Sequence, residues 1–153
     1  MSPSSPLMKH LLLCLATACA VAAPVQAKTY GGFKPGKTFT FTVTARSSTK
    51  QVDLNPSVNV PVPAGVVKLG LGSKVRFTIG RKGQLEFKKS SFPYDSSGAE
   101  YVQYVRPPKN GLSQSGTIYK SKKGKPVGAS LNFLKIITDG ASRTVYAVDY
   151  QLE

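Results

Sequence analysis

The stretch that decides the fold is Thr38–Ala45, which reads Thr-Phe-Thr-Phe-Thr-Val-Thr-Ala. Apolar and polar side chains alternate strictly in it, and threonine, phenylalanine and valine all favour β-structure. Because successive side chains of a strand point to opposite faces, Phe39, Phe41 and Val43 share one face and the threonines share the other. The sequence therefore predicts an amphipathic strand whose phenylalanine face lies in the core.

Further short runs with turn residues between them extend this β pattern. Lys74–Ile79 and Gln84–Lys88 alternate on either side of a Gly-Arg-Lys-Gly turn, which predicts a hairpin. Thr144–Leu152 alternates again, whereas Val127–Thr138 fits either a strand or a short helix by period. Two more strands are expected, at Tyr101–Val105 and Gly116–Ser121. The pattern predicts an all-β fold, an antiparallel sandwich or barrel of about seven to nine strands.

The intervening segments give weaker signals. Prolines limit Val58–Val62 to a short edge strand, and the apolar, Gly-bounded run Val66–Leu71 is interpreted as a buried strand. Ser90–Ala99 is rich in serine and contains Pro93 and Gly98, so a loop is expected there.

The N-terminal region has the pattern of an export signal. Lys9 precedes an apolar run from Leu11 to Ala23, and small residues stand at Val25 and Ala27. The expected organisation is a signal peptide over residues 1–27, with Met8 as an alternative translation start, followed by a single basic β domain over residues 28–153. The expected location is the periplasm or the extracellular medium.

An alternative is lipidation at Cys19, because Ala-Thr-Ala-Cys is an imperfect lipoprotein box. That modification would anchor the protein to a membrane surface. The apolar run is shorter than the roughly 20 residues that a transmembrane helix needs, so no transmembrane span is expected.

The predicted mature segment lacks the residues of the commonest catalytic schemes. His10, Cys14 and Cys19 are the only histidine and cysteines of the chain, and all three precede the expected cleavage site. Zinc sites of the usual type, Ser-His-Asp triads and Cys-His pairs are thereby excluded. We expect no catalytic residue, no metal and no cofactor.

Two segments match functional motifs, but the structure expected around each segment argues against the function of the motif. Gly31–Thr38 fits the phosphate-binding loop pattern, but the strongest strand of the chain follows it where a helix is required. Ser47–Lys50 fits the S-x-x-K pattern of acyl-enzymes but is interpreted as a polar surface loop. Acid/base pairs in glycosidases need two carboxyl groups that face each other across a cleft. Asp95 and Glu100, which lie in and directly after the loop expected at Ser90–Ala99, are the only carboxylates that we consider as such a pair.

Positive charge is the main functional signal. The formal net charge of +14 falls only to +13 when Lys9 is removed with the signal peptide. This exceeds the surplus of about 2–8 that keeps a small domain soluble. The excess favours an anionic partner, either a polymer or lipid head groups, and nucleic acid belongs to the same class. The alternative is that the charge only keeps the protein soluble, as in an exported protein of a basic proteome.

Two groups of side chains are candidates for the contact. One consists of basic hairpin tips, and the other of aromatic rings among basic residues. Together they comprise Lys120, Lys122, Lys123, Lys125, Arg81, Lys82, Tyr94, Tyr101, Tyr104 and Arg106.

The function expected from the sequence is an exported, non-enzymatic binding or structural domain that engages an anionic envelope or extracellular component. The alternative is a protein-interaction module, such as a periplasmic inhibitor or an assembly subunit, that uses an exposed β-edge. A hydrolase without histidine is the third hypothesis.

Overall fold

The computed structural model describes residues 27–153, and every regular element in that range is a β-strand. The expected signal peptide, the alternative start at Met8 and the alternative anchor at Cys19 lie outside the described residues. The strands are β1 (Thr38–Val52), β2 (Asn55–Val58), β3 (Lys74–Ile79), β4 (Leu85–Phe87), β5 (Ser90–Phe92), β6 (Tyr94–Ser97), β7 (Tyr101–Lys109), β8 (Leu112–Lys120), β9 (Pro126–Asp139) and β10 (Ser142–Leu152). From Ala27 onward, no helix is long and apolar enough to cross a membrane.

All ten strands belong to one antiparallel sheet that nearly closes into a barrel. The order is β5-β4-β3-β1-β10-β9-β8-β7-β6, and β2 pairs separately with the end of β1. The two ends of this path, β5 and β6, are consecutive in the chain and are separated only by Pro93. The amide of Val105 in β7 donates to the Pro93 carbonyl at 3.0 Å, so this corner joins one edge of the sheet to the other. The prediction of an all-β antiparallel fold is confirmed. Of the two expected architectures, sandwich and barrel, the structure has the barrel-like one.

Alternation along the strands builds a single core. Phe39, Phe41 and Val43 are buried, as Thr38–Ala45 predicts. Six of the seven phenylalanines form a continuous chain of ring contacts through the barrel, with centroids 4.8–6.5 Å apart. Large buried rings of this kind supply most of the apolar burial that a small fold needs.

Three local predictions are wrong. Ser47–Lys50 belongs to strand β1, because the long strand β10 pairs with β1 as far as Val52. Ser90–Ala99 contains β5 and β6, since edge pairing gives each half a partner despite the serines and Pro93. The run Val66–Leu71 has no strand, although Val66 and Leu69 are buried. Its backbone is bound by a side chain instead: the Tyr150 hydroxyl donates to the Val67 carbonyl at 2.8 Å.

Two hairpin tips and the entry to β1 lie at the same end of the barrel. Strand β1 starts there, and β3 ends there at Ile79. The β8–β9 turn lies there too, because Leu152 at the end of β10 pairs with Val43 near the start of β1 and with Ala129 near the start of β9. The turns after β1, β7 and β9 lie at the opposite end. Antiparallel topology thus gathers three basic segments that are far apart in sequence.

Candidate functional site

The segment before β1, Gly31–Lys37, forms a tightly held turn. Tyr30 and Phe33 pair through two backbone hydrogen bonds of 2.9 and 3.1 Å, and the Phe33 ring is buried with its centroid 4.8 Å from that of Phe39. Gly36 donates to the Ile79 carbonyl at 2.7 Å, and Ile79 donates to the Lys37 carbonyl at 2.8 Å. The turn is therefore fixed to the end of β3, and its lysines project from a rigid backbone.

The β8–β9 turn, residues 121–125, forms the second basic segment. Ser121 and Lys125 close it through a backbone hydrogen bond of 2.8 Å, and Gly124 adopts the positive φ of 72° that the turn requires. Lys122, Lys123 and Lys125 are exposed. Lys120 is half-buried, and its Nζ donates to the Gly31 carbonyl at 3.0 Å. One lysine of the tip therefore anchors the turn before β1, and three remain free for solvent or a ligand.

These two segments share a cavity of about 310 Å³. Lys34 and Lys37 line it from the turn before β1, and Lys125 lines it from the tip. All three side chains are exposed, and the backbones of Gly32 and Gly124 complete the wall. From Ala27 onward, three ammonium groups and no carboxylate line this cavity, which favours a negatively charged occupant.

The β3–β4 turn adds the third basic segment on the other side of Gly36. Arg81 and Lys82 are exposed and line a cavity of about 570 Å³ together with Gly36. Glu86 also lines this cavity and accepts a hydrogen bond of 2.8 Å from the Gln84 amide. This cavity is less positive than the first, because Glu86 offsets part of the charge.

Tyr30 and Tyr94 form an aromatic cleft beside the same turn. Their ring centroids lie 5.6 Å apart at 65°, an edge-to-face arrangement, and Lys82 lines the cleft of about 380 Å³ with them. The Nζ of Lys28 lies 5.3 Å from the Tyr30 centroid, within the range of a cation–π contact. Gly83 permits this packing, because a Cβ there would overlap the Tyr30 ring.

We call this surface the basic end. It consists of seven exposed cationic side chains, Lys34, Lys37, Arg81, Lys82, Lys122, Lys123 and Lys125. The turn before β1 lies between the two tips and lines a cavity with each. Repulsion between cations that have no anion beside them lowers the stability of a fold modestly, and salt ions or an anionic ligand weaken this repulsion.

The remaining predicted site residues lie elsewhere. Tyr104 is fully buried in the core and presents no surface to a ligand, which corrects its selection as a binding residue. Burial, followed by the nearby Tyr94, raises the pKa of Tyr104 above its usual range. Tyr101 is exposed on the outer face of β7, and Arg106 lines a separate groove on that face. Of the aromatic candidates, Tyr94 shares a cleft with Lys82, and Tyr101 pairs with Tyr119, the residue before Lys120.

Lys34, Lys37 and Tyr30 belong to the site, although sequence reasoning did not select them. Lys34 and Lys37 lie within the Gly31–Thr38 match to the phosphate-binding loop pattern, which the sequence context argues against. The rejection itself agrees with the structure, since strand β1 follows the loop. The usable signal was the density of lysine and glycine at the start of a strong strand.

The other candidate catalytic and metal-binding groups of the sequence do not form such sites in residues 27–153. Ser47 and Lys50 are an odd number of residues apart in β1, so their side chains point to opposite faces. Ser47 donates to the Asp149 carboxylate at 3.3 Å, and the Nζ of Lys50 lies 5.8 Å from the Tyr146 centroid. Asp95 and Glu100 are both exposed. Among residues 27–153, no three His, Cys, Asp or Glu side chains are grouped so that they could hold a metal.

Comparison with known proteins finds no matching family model, no matching curated protein and no matching solved structure.

Proposed function

We propose that the protein is an exported, non-enzymatic binding domain that holds an anionic polymer of the cell envelope or surroundings at its basic end. The observation that supports this most directly is the cavity lined by Lys34, Lys37 and Lys125. Its cations come from two turns that are about 90 residues apart in sequence, and the bond from Lys120 to Gly31 couples these turns.

The form of the basic end suits a polymer better than a small anion. Three basic segments follow one another around the end of the barrel, with two cavities between them. The aromatic cleft of Tyr30 and Tyr94 adds a stacking surface beside Lys82. A chain of anionic units would contact successive cations, and each neutralised contact would release counterions.

Substitution of the cavity lysines tests the proposal. The triple variant Lys34→Gln, Lys37→Gln, Lys125→Gln removes the charges that line the cavity and keeps side chains of similar length. The matched control, Lys68→Gln, Lys89→Gln, Lys109→Gln, removes three exposed charges elsewhere. The probes are a fluorescein-labelled heparin oligosaccharide and a labelled single-stranded oligonucleotide, measured at low salt.

The proposal predicts a loss of affinity of about tenfold or more for the cavity variant and a change of about threefold or less for the control. Equal losses for the two triple variants would show that only the net charge matters, and the proposal would be abandoned.

A second candidate function is a protein-interaction module that uses β2 as an edge. All four residues of Asn55–Val58 are exposed, β2 pairs only with β1, and the Val58 side chain is 71% exposed. Such an edge can accept a strand from a partner through main-chain hydrogen bonds. Binding of that kind resists salt, whereas polymer binding at the basic end weakens steeply with salt.

A further inference from the structure

The outer face of strands β7–β10 carries a groove that is separate from the basic end. Its volume is about 420 Å³, and the apolar part of its lining consists of Val105, Pro108, Phe133, Leu134 and Ala147. Of residues 27–153, Arg106 and Asp149 are the only charged ones that line it. Residues 27–153 carry 20 basic and 7 acidic side chains, a net charge of +13, whereas this groove is balanced in charge. It therefore suits a different, uncharged class of ligand.

A row of hydrogen-bonding side chains crosses the groove. Ser115 of β8 pairs with Asn132 of β9, and Asn132 pairs with Asp149 of β10. Residues that pair in register project to the same face, and neighbouring strands are about 4.8 Å apart. The row thus offers hydroxyl, amide and carboxylate groups at regular intervals, which is suited to a ligand with many hydroxyl groups. Asp149 is held in place by the Ser47 hydroxyl at 3.3 Å.

Tyr119 adds a fixed aromatic ring to the same face. It pairs with Gly128 of β9, and its Cδ2 lies 4.0 Å from the position that a Cβ of Gly128 would take. Its hydroxyl lies 3.2 Å from the Ser130 Oγ, two residues further along β9. The ring therefore lies across the surface of β9, and the Tyr119 side chain is still 40% exposed. Part of this ring is therefore accessible to a ligand.

Tyr101 extends this aromatic surface along β7. It pairs with Tyr119, it is 42% exposed, and its ring packs against Gly98, whose Cβ would approach the Tyr101 Cε1 to 2.6 Å. Gln103 lies on the same face between Tyr101 and the groove, which it also lines. The two rings and the groove therefore form one continuous surface along β7 and β8.

We propose that this surface binds a neutral linear glycan, independently of the proposed function of the basic end. The flat apolar faces of sugar rings stack on tyrosine, and sugar hydroxyls bond to amide and carboxylate groups such as those of Asn132 and Asp149. A nucleic acid fits less well, because Arg106 is the one cation among residues 27–153 that lines the groove. The rings are held by their neighbours before binding, which lowers the entropy cost of association.

The test measures the binding of the wild type to immobilised linear hexasaccharides at low and high salt. These hexasaccharides are neutral glucan, mannan, xylan and chitin oligomers. We expect at least one to bind with a Kd that does not change with salt. Tyr119→Ala should weaken that binding about tenfold, because one stacking contact is lost. Tyr119→Phe, which retains the ring, should weaken it less, and Tyr146→Ala serves as a control outside the surface.

Three results would overturn the proposal. The first is no binding of the wild type to any of these glycans, and the second is binding that weakens as salt rises. The third is equal binding by the wild type and Tyr119→Ala. The Lys122→Glu, Lys123→Glu variant distinguishes the two sites, because it should lose heparin affinity and keep glycan affinity.

Discussion

The ammonium group of Lys120 donates a hydrogen bond of 3.0 Å to the carbonyl oxygen of Gly31, which joins the end of β8 to the turn before β1. The two residues are 89 positions apart in the chain. This bond couples the two basic segments that line the cavity of Lys34, Lys37 and Lys125. The geometry of the basic end therefore depends on a lysine that is itself half-buried and not free for a ligand.

Lys120→Met should loosen the turn before β1, because it retains the aliphatic stem and removes the donor. A hydrogen bond to a charged group contributes about 1.5–3 kcal/mol when it is protected from water. Lys120 is half-buried, so we expect a loss of about 1 kcal/mol in the free energy of unfolding, measured in urea. Amides of residues 31–37 should also exchange faster. Exchange in Lys120→Met that equals exchange in the control Lys122→Met would contradict the anchoring role.

The Tyr150 hydroxyl should stabilise the segment that crosses beside the core. It donates to the Val67 carbonyl at 2.8 Å and accepts from the Leu69 amide at 3.3 Å. Tyr150→Phe leaves both backbone groups without this partner, which should cost about 1–3 kcal/mol. Tyr146→Phe is the control, since its ring is half-exposed. A difference below about 0.5 kcal/mol between the two variants would refute the role of this hydroxyl.

Much of the barrel could be predicted from sequence, because the alternation that identifies a strand is a local pattern. Thr38–Ala45 and the run after Ser142 alternate strictly, so the period of two identifies the strands and their buried faces. Strands β5 and β6 could not be found in this way, because each has only three or four residues, too few to show a period, and each is held by pairing with one neighbouring strand, β4 or β7. Pairing of that kind overrides local propensity.

Only part of the basic end could be predicted from sequence, because its segments come together through strand pairing that a local pattern does not reveal. The lysines of the β8–β9 tip were visible as a charge cluster beside Gly124 and Pro126. Their proximity to Lys34 and Lys37 follows from the antiparallel order of β1, β10, β9 and β8, which the sequence does not specify. Alternation places Tyr101 and Tyr104 on opposite faces of β7, but it does not reveal which of the two faces is buried.

Gly83→Ala should disrupt the aromatic cleft. Gly83 has a φ of 81°, and an added Cβ would overlap the Tyr30 ring. Gly124→Ala is a matched control, with a φ of 72° and no atom within 4 Å of the added Cβ. Both variants bear the cost of a positive φ, about 1–2 kcal/mol, and Gly83→Ala should lose at least about 1 kcal/mol more through the overlap. Equal stabilities in thermal unfolding would mean that Tyr30 moves aside freely.

Tyr104 should make the fold sensitive to high pH. No donor or acceptor within residues 27–153 bonds to its hydroxyl, and burial raises its pKa above the usual range. Above about pH 10 the unfolded chain releases a phenolic proton that the folded chain retains, so the free energy of unfolding falls as pH rises. Tyr104→Phe should match or exceed wild-type stability at pH 7 and should lose less stability between pH 9 and about pH 11. An unchanged pH profile would contradict this account.

The salt dependence of heparin binding tests the central claim most directly. The wild type is compared with Lys122→Glu, Lys123→Glu at one end of the barrel and with Lys109→Glu, Arg143→Glu at the other, since both double variants change the net charge equally. Each lost contact with an anionic group makes the slope of log affinity against log salt shallower by about 1. We expect a slope shallower by about 1–2 for the first variant and a wild-type slope for the second. Identical slopes for all three proteins, or the same reduction in both variants, would contradict binding at the basic end.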